Sequence, residues 1–375
     1  MFHHSVRVLL LNVLDFKIVD KNFGVCDEDA IIPTTTILNR RFGASMKKIG
    51  FAVIIVASFI SVVLSRHNAL AKSYLAYISQ SADTSAPYWV AQDEGFFKKH
   101  GLDIELVFVS SSVMATQSLM AGDIQFTSAG GTAAVNGKLA GGDIAIINSL
   151  GNTLPYYIIG KPEIKSPEDM RGRSAAVHLP GTAADFAFRL GLKTAGLNIK
   201  DVKTVMVGGS SPRIAAVKTG QLDFTVVTGS GKVEGEKAGL KVIVDMAKMN
   251  LPFQFTCTIA TGKMIRENPA EVRGLVRAMV DALHFYRTRK EDVLQIMAKY
   301  TRGMSRSALE GGYDSFNKLL VEDTYPTLEG IKNILEIQAT IDPKAAKARP
   351  EEFVDLRFLD ELKKSGYLNK LYGRS

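Results

Sequence analysis

Cysteine is almost absent from this 375-residue chain, occurring only as Cys26 and Cys257. The first belongs to the opening 71 residues, so the remaining 304 can form no intramolecular disulfide and hold no cysteine-rich metal or redox motif. Cys257 sits in Phe253-Gln254-Phe255-Thr256-Cys257-Thr258-Ile259-Ala260, a setting that reads as a buried strand thiol. HExxH, GxSxG, P-loop and CxxC patterns are missing too, which removes the commonest local signatures of zinc hydrolases, serine esterases, nucleotide hydrolases and dithiol enzymes. No dense basic tract exists. The formal charge of +8 is spread thinly, with 38 Lys+Arg against 33 Asp+Glu after residue 71, and nucleic acid is not an expected partner. Tryptophan occurs once, as Trp89, in the apolar stripe of a helical pattern.

What is present begins with an export pattern. Met46-Lys47-Lys48 supplies a positive end, Ile49 to Leu64 is a sixteen-residue stretch without charge, and Ala69-Leu70-Ala71 is a small-x-small cleavage signal. Sixteen residues fall short of the roughly 20 that span a bilayer, so cleavage near Ala71 and an extracytoplasmic, periplasmic product are expected. An uncleaved leader would leave the protein membrane-anchored. Residues 1–45 show no periodic pattern and precede a complete signal with its own methionine, so translation is expected to start at Met46.

From residue 72 the chain alternates strands and helices, which predicts α/β architecture. Tyr74 to Ile78 reads as a strand, Ser79 to Ser85 as a polar loop, and Pro87 as part of the first turn of a helix closed by Gly101. Strands follow at Ile104–Val109, Asp123–Thr127 and Asp143–Asn148; the first two end in polar loops that open helices, and the last leads to Leu154-Pro155-Tyr156-Tyr157, which reads as a first crossing between lobes. A second cycle starts at Arg173 and runs to Asp245. Ala121-Gly122-Asp123-Ile124 and Thr219-Gly220-Gln221-Leu222-Asp223 mark the same joint in the two cycles. Phe253–Ala260 is a strand crossing back. Beyond Asn268 the pattern is helical, with Asp292 and Ser305 as expected caps. No glycine- or serine-rich linker separates the cycles, so structured crossovers join them.

These segments resemble the extracytoplasmic solute-binding proteins of ABC importers, in the group handling sulfonates, taurine, nitrate and thiamine-pyrimidine precursors. The carriers are Ala91-Gln92-Asp93-Glu94-Gly95-Phe96-Phe97 with Gly101-Leu102-Asp103-Ile104, the joint at Ala121–Ile124, Lys165-Ser166-Pro167-Glu168-Asp169-Met170-Arg171-Gly172, Pro180-Gly181-Thr182, and Val354 to Leu362. The resemblance implies a two-lobed type II periplasmic-binding-protein clamp, each lobe a mostly parallel sheet flanked by helices, with a helical C-terminal region. Lobe 1 is expected at 72–157 plus 257–375 and lobe 2 at 158–256. It further implies a small-molecule ligand held between the lobes, a permease of the inner membrane as client, a monomer, and neither cofactor nor catalysis.

The family's pocket comes from loops at strand ends. Here those loops carry Ser79, Gln80, Ser81, Ser111, Ser128, Gly130, Thr132, Asn152, Thr153, Gly181, Thr182, Ser210, Ser211, Thr228 and Ser230. Helix N-termini offer unpaired N–H groups and partial positive charge, and hydroxyls donate and accept, so such loops can hold an oxyanion without a formal countercharge. Arg213 can clamp an anion or equally pair with a backbone carbonyl or an acid, Tyr88 is the aromatic expected at the cleft, and His178 ends a strand near it. Two other readings stand beside the binding module. One is an enzyme related to thiamine-pyrimidine synthesis, whose relatives resemble cytosolic proteins with a cysteine-rich motif absent here. The other is a periplasmic sensor or chaperone-like protein using the same clamp.

Overall fold

The computed structural model describes residues 72–77, 82–339 and 342–374. The leader, the extension before it, and the site candidates Ser79, Gln80 and Ser81 lie outside the described residues.

Two five-stranded sheets organise the chain. The first holds β1 (Lys72–Tyr77), β2 (Asp103–Phe108), β3 (Phe126–Gly130), β4 (Ile144–Thr153) and β10 (Pro252–Thr261), in the order β2-β1-β3-β10-β4. The second holds β5 (Tyr157–Gly160), β6 (Ser174–Val177), β7 (Lys203–Met206), β8 (Phe224–Val227) and β9 (Lys241–Asp245), in the order β7-β6-β8-β5-β9. The plan is the same twice. β1 is parallel to β2 and β3, and β6 to β7 and β8. The antiparallel strand in each sheet is the one reached by a crossover: β10 against β3 and β4, β5 against β8 and β9. A chain that leaves one sheet at its C-terminal edge and enters the other at the facing C-terminal edge must run antiparallel there. Both sheets therefore turn their C-terminal edges to one crevice, where α/β sheets place ligands. The domain boundary expected at 256/257 falls inside β10, all ten residues of which belong to the first sheet.

The helices are α1 (Ala82–Asp93), α2 (Phe96–Lys99), α3 (Ser112–Ala121), α4 (Gly131–Leu139), α5 (Ala183–Thr194), α6 (Ser210–Lys218), α7 (Gly229–Lys237), α8 (Gly262–Glu267), α9 (Pro269–Thr288), α10 (Lys290–Tyr300), α11 (Arg306–Asn317), α12 (Leu328–Gln338), α13 (Arg357–Lys364) and α14 (Tyr367–Leu371). Their starts are encoded locally. The hydroxyls of Ser111, Thr182, Thr261, Ser305 and Thr327 accept the N–H of a first-turn residue, relieving one orphan donor each. Asp292 does not cap α10; it lies in the first turn, where its charge suits the helix dipole.

Three expected element limits shift, and all three bear on the site. α1 starts at Ala82, so Pro87 is inside it and Asp83, Thr84 and Ser85 are buried helical residues instead of loop. β3 extends through Ser128 to Gly130, and β4 through Asn152 to Thr153. Packing overrode the polar character of these residues: Thr127, Ser128, Asn148 and Ser149 are fully covered in the sheet. Trp89 is core, as its place in the apolar stripe predicts, and stacks on Tyr300 at 4.9 Å between ring centres. Cys257 is buried on β10, where its thiol donates to the Ala129 carbonyl oxygen and burial pushes its pKa up.

Candidate functional site

The crevice between the sheets holds a cleft of about 300 Å³. Six helices begin at its wall. Thr84 comes from the first turn of α1, Ser111 and Ser112 from α3, Gly130 from the cap of α4, Thr182 to Ala184 from α5, Gly209 to Arg213 from α6, and Thr228, Ser230 and Gly231 from α7. Each start leaves backbone N–H groups without intrahelical partners and a partial positive charge, so the wall is rich in donors. Phe108, Tyr156, Phe255, Pro212 and Met304 add apolar surface. Tyr156 and Phe255 meet edge to face at 5.5 Å.

Arg213 is the buried cation of this wall, 2 % exposed. Its Nε donates to Thr225 Oγ1 at 3.2 Å, Nη1 to the Gly208 carbonyl, and Nη2 to the Val226 carbonyl at 2.9 Å and to Ser210 Oγ at 3.3 Å. A guanidinium has five N–H donors. Four are used, and the second N–H of Nη1 has no partner among the described residues. No carboxylate of the described residues lies within ion-pair distance of Arg213. Burial lowers its pKa to about 10, which leaves it charged at neutral pH. An uncompensated buried charge is costly, and an anionic ligand would repay that cost. His178 stands nearby. Burial, and next the charge of Arg213, push its pKa down to about 4, so it is neutral at pH 7.

On the α7 side the charge is negative. The Asp83 carboxylate, 2 % exposed, accepts from Ser230 Oγ at 3.0 Å and from the Ser230 amide at 3.4 Å. An internal anion thus sits on the start of α7 and ties α1 to α7. Glu234 lines the cleft one turn further along.

Of the residues expected in the site, Ser111, Gly130, Thr182, Ser210, Ser211, Arg213, Thr228 and Ser230 come together on this wall. Six others do not line the cleft. Tyr88 is fully buried, its hydroxyl 2.9 Å from Thr258 Oγ1, because the helix that carries it turns its aromatic side to the core. Ser128 is a covered residue of β3. Thr132 is buried inside α4. Asn152 and Thr153 belong to β4, and Asn152 is occupied by Ser149 Oγ and the Tyr325 carbonyl. Gly181 has φ +79°, a left-handed turn that glycine permits; its N–H goes to Asp185. Tyr156, Phe255, Thr256, Met304 and Glu234 were missed. Glu234 was findable, because it follows Ser230 by four residues on a helix and so shares its face. Met304 sits in a loop with no signal in its neighbourhood.

A family model described as "NMT1/THI5 like" matches residues 83–291. Chains from Brucella abortus, Brucella suis and Brucella melitensis, provisionally named binding proteins, are 25% identical over 226 residues, covering 58% of this chain and 70% of theirs. A solved structure from Bordetella bronchiseptica RB50 superposes with a TM-score of 0.69 at 21% identity, over 81% of this chain and 98% of that one. The alkanesulfonate-binding protein SsuA from Xanthomonas axonopodis pv. citri, bound to MOPS, gives 0.63 at 13% identity, over 72% and 93%. The desulfurization enzyme DSZB gives 0.59 at 16% identity, over 78% and 99%. The fold is thus one that serves binding proteins and at least one enzyme. Its match over more than half its length places the chain in the NMT1/THI5-like family.

Proposed function

We propose that this chain is the extracytoplasmic solute-binding component of an ABC importer, closing two lobes on a small organic anion and delivering it to a membrane permease. The lobes follow the sheets, with crossovers between Thr153 and Tyr157 and between Asp245 and Pro252. The export pattern at Met46–Ala71 supports an extracytoplasmic location, and among the described residues no helix is long and apolar enough to cross a membrane. The observation that carries the reading is a cleft walled by helix starts from both sheets, with Arg213 buried there lacking an acidic partner.

A thermal-shift screen over alkanesulfonates, carboxylates, nitrate and aromatic acids tests it, since a ligand that binds only the folded form raises Tm. A small anion should raise Tm saturably, and Ser211→Phe, which places a ring in the cleft from an exposed position, should abolish the rise. A rise that persists in Ser211→Phe, or none with any class, contradicts the proposal. The enzyme reading draws on the likeness to DSZB. It would need a group other than the buried Cys257, and His178 is the one imidazole of the described residues on the cleft wall. Recovery of a bound solute chemically changed would favour that reading.

A further inference from the structure

Arg213 and His178 stand over the same strand end. Thr225 Oγ1, which accepts from Arg213 Nε, donates to the Ala176 carbonyl of β6 at 2.8 Å. β6 ends at Val177, His178 is the next residue, and guanidinium and imidazole line one cleft. The His178 ring is half-buried. Its Nδ1 is covered and has no hydrogen-bond partner among the described residues, and the Leu179 carbonyl in the same turn already accepts from Thr182 Oγ1. A protonated imidazole donates from both nitrogens and needs an acceptor for each. The wall itself does not furnish them.

The charges around the ring come from several elements. Arg213 of α6 opposes a second positive charge beside it. Asp185 of α5 favours one, but that carboxylate already accepts from the Gly181 amide and from Arg189 Nε, both at 3.0 Å. Tyr156, in the crossover before β5, is held neutral by burial. Asp83 of α1 is bound to Ser230, and Glu234 lines the cleft from α7. Because Arg213 lacks a carboxylate partner, a proton on His178 would set two cations together without a counter-ion. An anion seated on the spare N–H of Arg213 reverses that balance: it faces both groups and offers the acceptor that an imidazolium lacks.

Resting on the solute-binding reading above, we infer that His178 is a proton-linked ligand group: seating the anion at Arg213 brings a proton from solvent onto the neighbouring imidazole, which then donates to the same anion. Capture is therefore tighter in an acidic medium. Without an anion the His178 pKa is about 4. A bound anion raises it, so between the two values the complex holds more protons than the free protein and affinity rises as pH falls; above the raised value affinity is flat.

The test titrates propanesulfonate and nitrate, both ionised throughout, calorimetrically into the exported protein as purified, at about pH 5 and about pH 7.5. Binding should be about threefold or more tighter at the lower pH, and comparing buffers of different ionisation enthalpy should show more than about half a proton taken up per anion at pH 5. His178→Gln should bind equally at both pH values. Glu234→Gln should keep the dependence, which separates His178 from the carboxylate of the same cleft whose pKa is raised by burial and by Asp83. Binding without proton uptake, or a dependence that survives His178→Gln, overturns the inference and leaves solute binding standing. If neither anion binds at either pH, the inference falls together with the reading on which it rests.

Discussion

Arg213 and Thr182 show how the same residue can serve the fold and the site. Thr182 Oγ1 donates to the Leu179 carbonyl at 2.8 Å and accepts from the Asp185 amide at 3.2 Å, so it caps α5 while lining the cleft. Thr182→Val is expected to lower stability by about 1 kcal/mol through the lost cap and also to weaken solute binding; chemical denaturation and titration read the two effects separately. His178 gives a pH prediction. Its folded pKa of about 4 lies below the usual value, so the unfolded chain takes up the proton first as pH falls. Its contribution is present above about pH 6.5 and is lost between there and pH 4. Tm should therefore drop across that window, and His178→Gln should flatten the drop; an unchanged slope would remove His178 from the account. Serine and threonine at helix starts were legible as cleft-wall candidates because capping and ligand binding ask for the same atoms. Arg213 was legible as a type but not in its surroundings, since no sequence pattern reveals that Gly208 of the preceding loop and Thr225 and Val226 of β8 would satisfy it.

At the scale of elements, the joint between α7 and α11 is made by missing side chains. A Cβ on Gly229 would lie 2.4 Å from the Cβ of Ser315, and one on Gly311 would lie 2.4 Å from Cγ2 of Val233. Val233 is β-branched and cannot easily turn aside. Gly311→Ala should cost about 1–3 kcal/mol, read in a denaturation midpoint, as overpacking does elsewhere. The same variant should spare secondary structure, because a helix interior favours alanine over glycine. The strand–helix alternation could be read from the sequence, and so could both crossovers, because apolar runs and glycine stops are local signals. Strand lengths could not. Ser128, Asn152 and Thr153 are polar residues at strand ends, and only the pairing of β10 with both β3 and β4 draws them into the sheet.

For the whole molecule, one buried contact that joins the two halves of the cleft is Asp83 on Ser230, beside the α7–α11 joint. Asp83→Ala removes the carboxylate that accepts from the Ser230 amide and hydroxyl and should cost about 1–3 kcal/mol. If the two sheets belong to moving lobes, the variant should also enlarge the radius of gyration in solution scattering. The duplicated plan was visible as two cycles with matching joints, but the facing of the two C-terminal edges was known only through the resemblance and is seen directly in the antiparallel placement of β5 and β10. Hydrogen exchange at single-peptide resolution, with and without the tightest-binding anion, tests that geometry most directly. Segments holding the starts of α3 and α4 in the first sheet's half, and of α5 and α6 in the second, should gain protection together on binding. Protection confined to one half, or lying elsewhere on the molecule, would contradict a shared cleft.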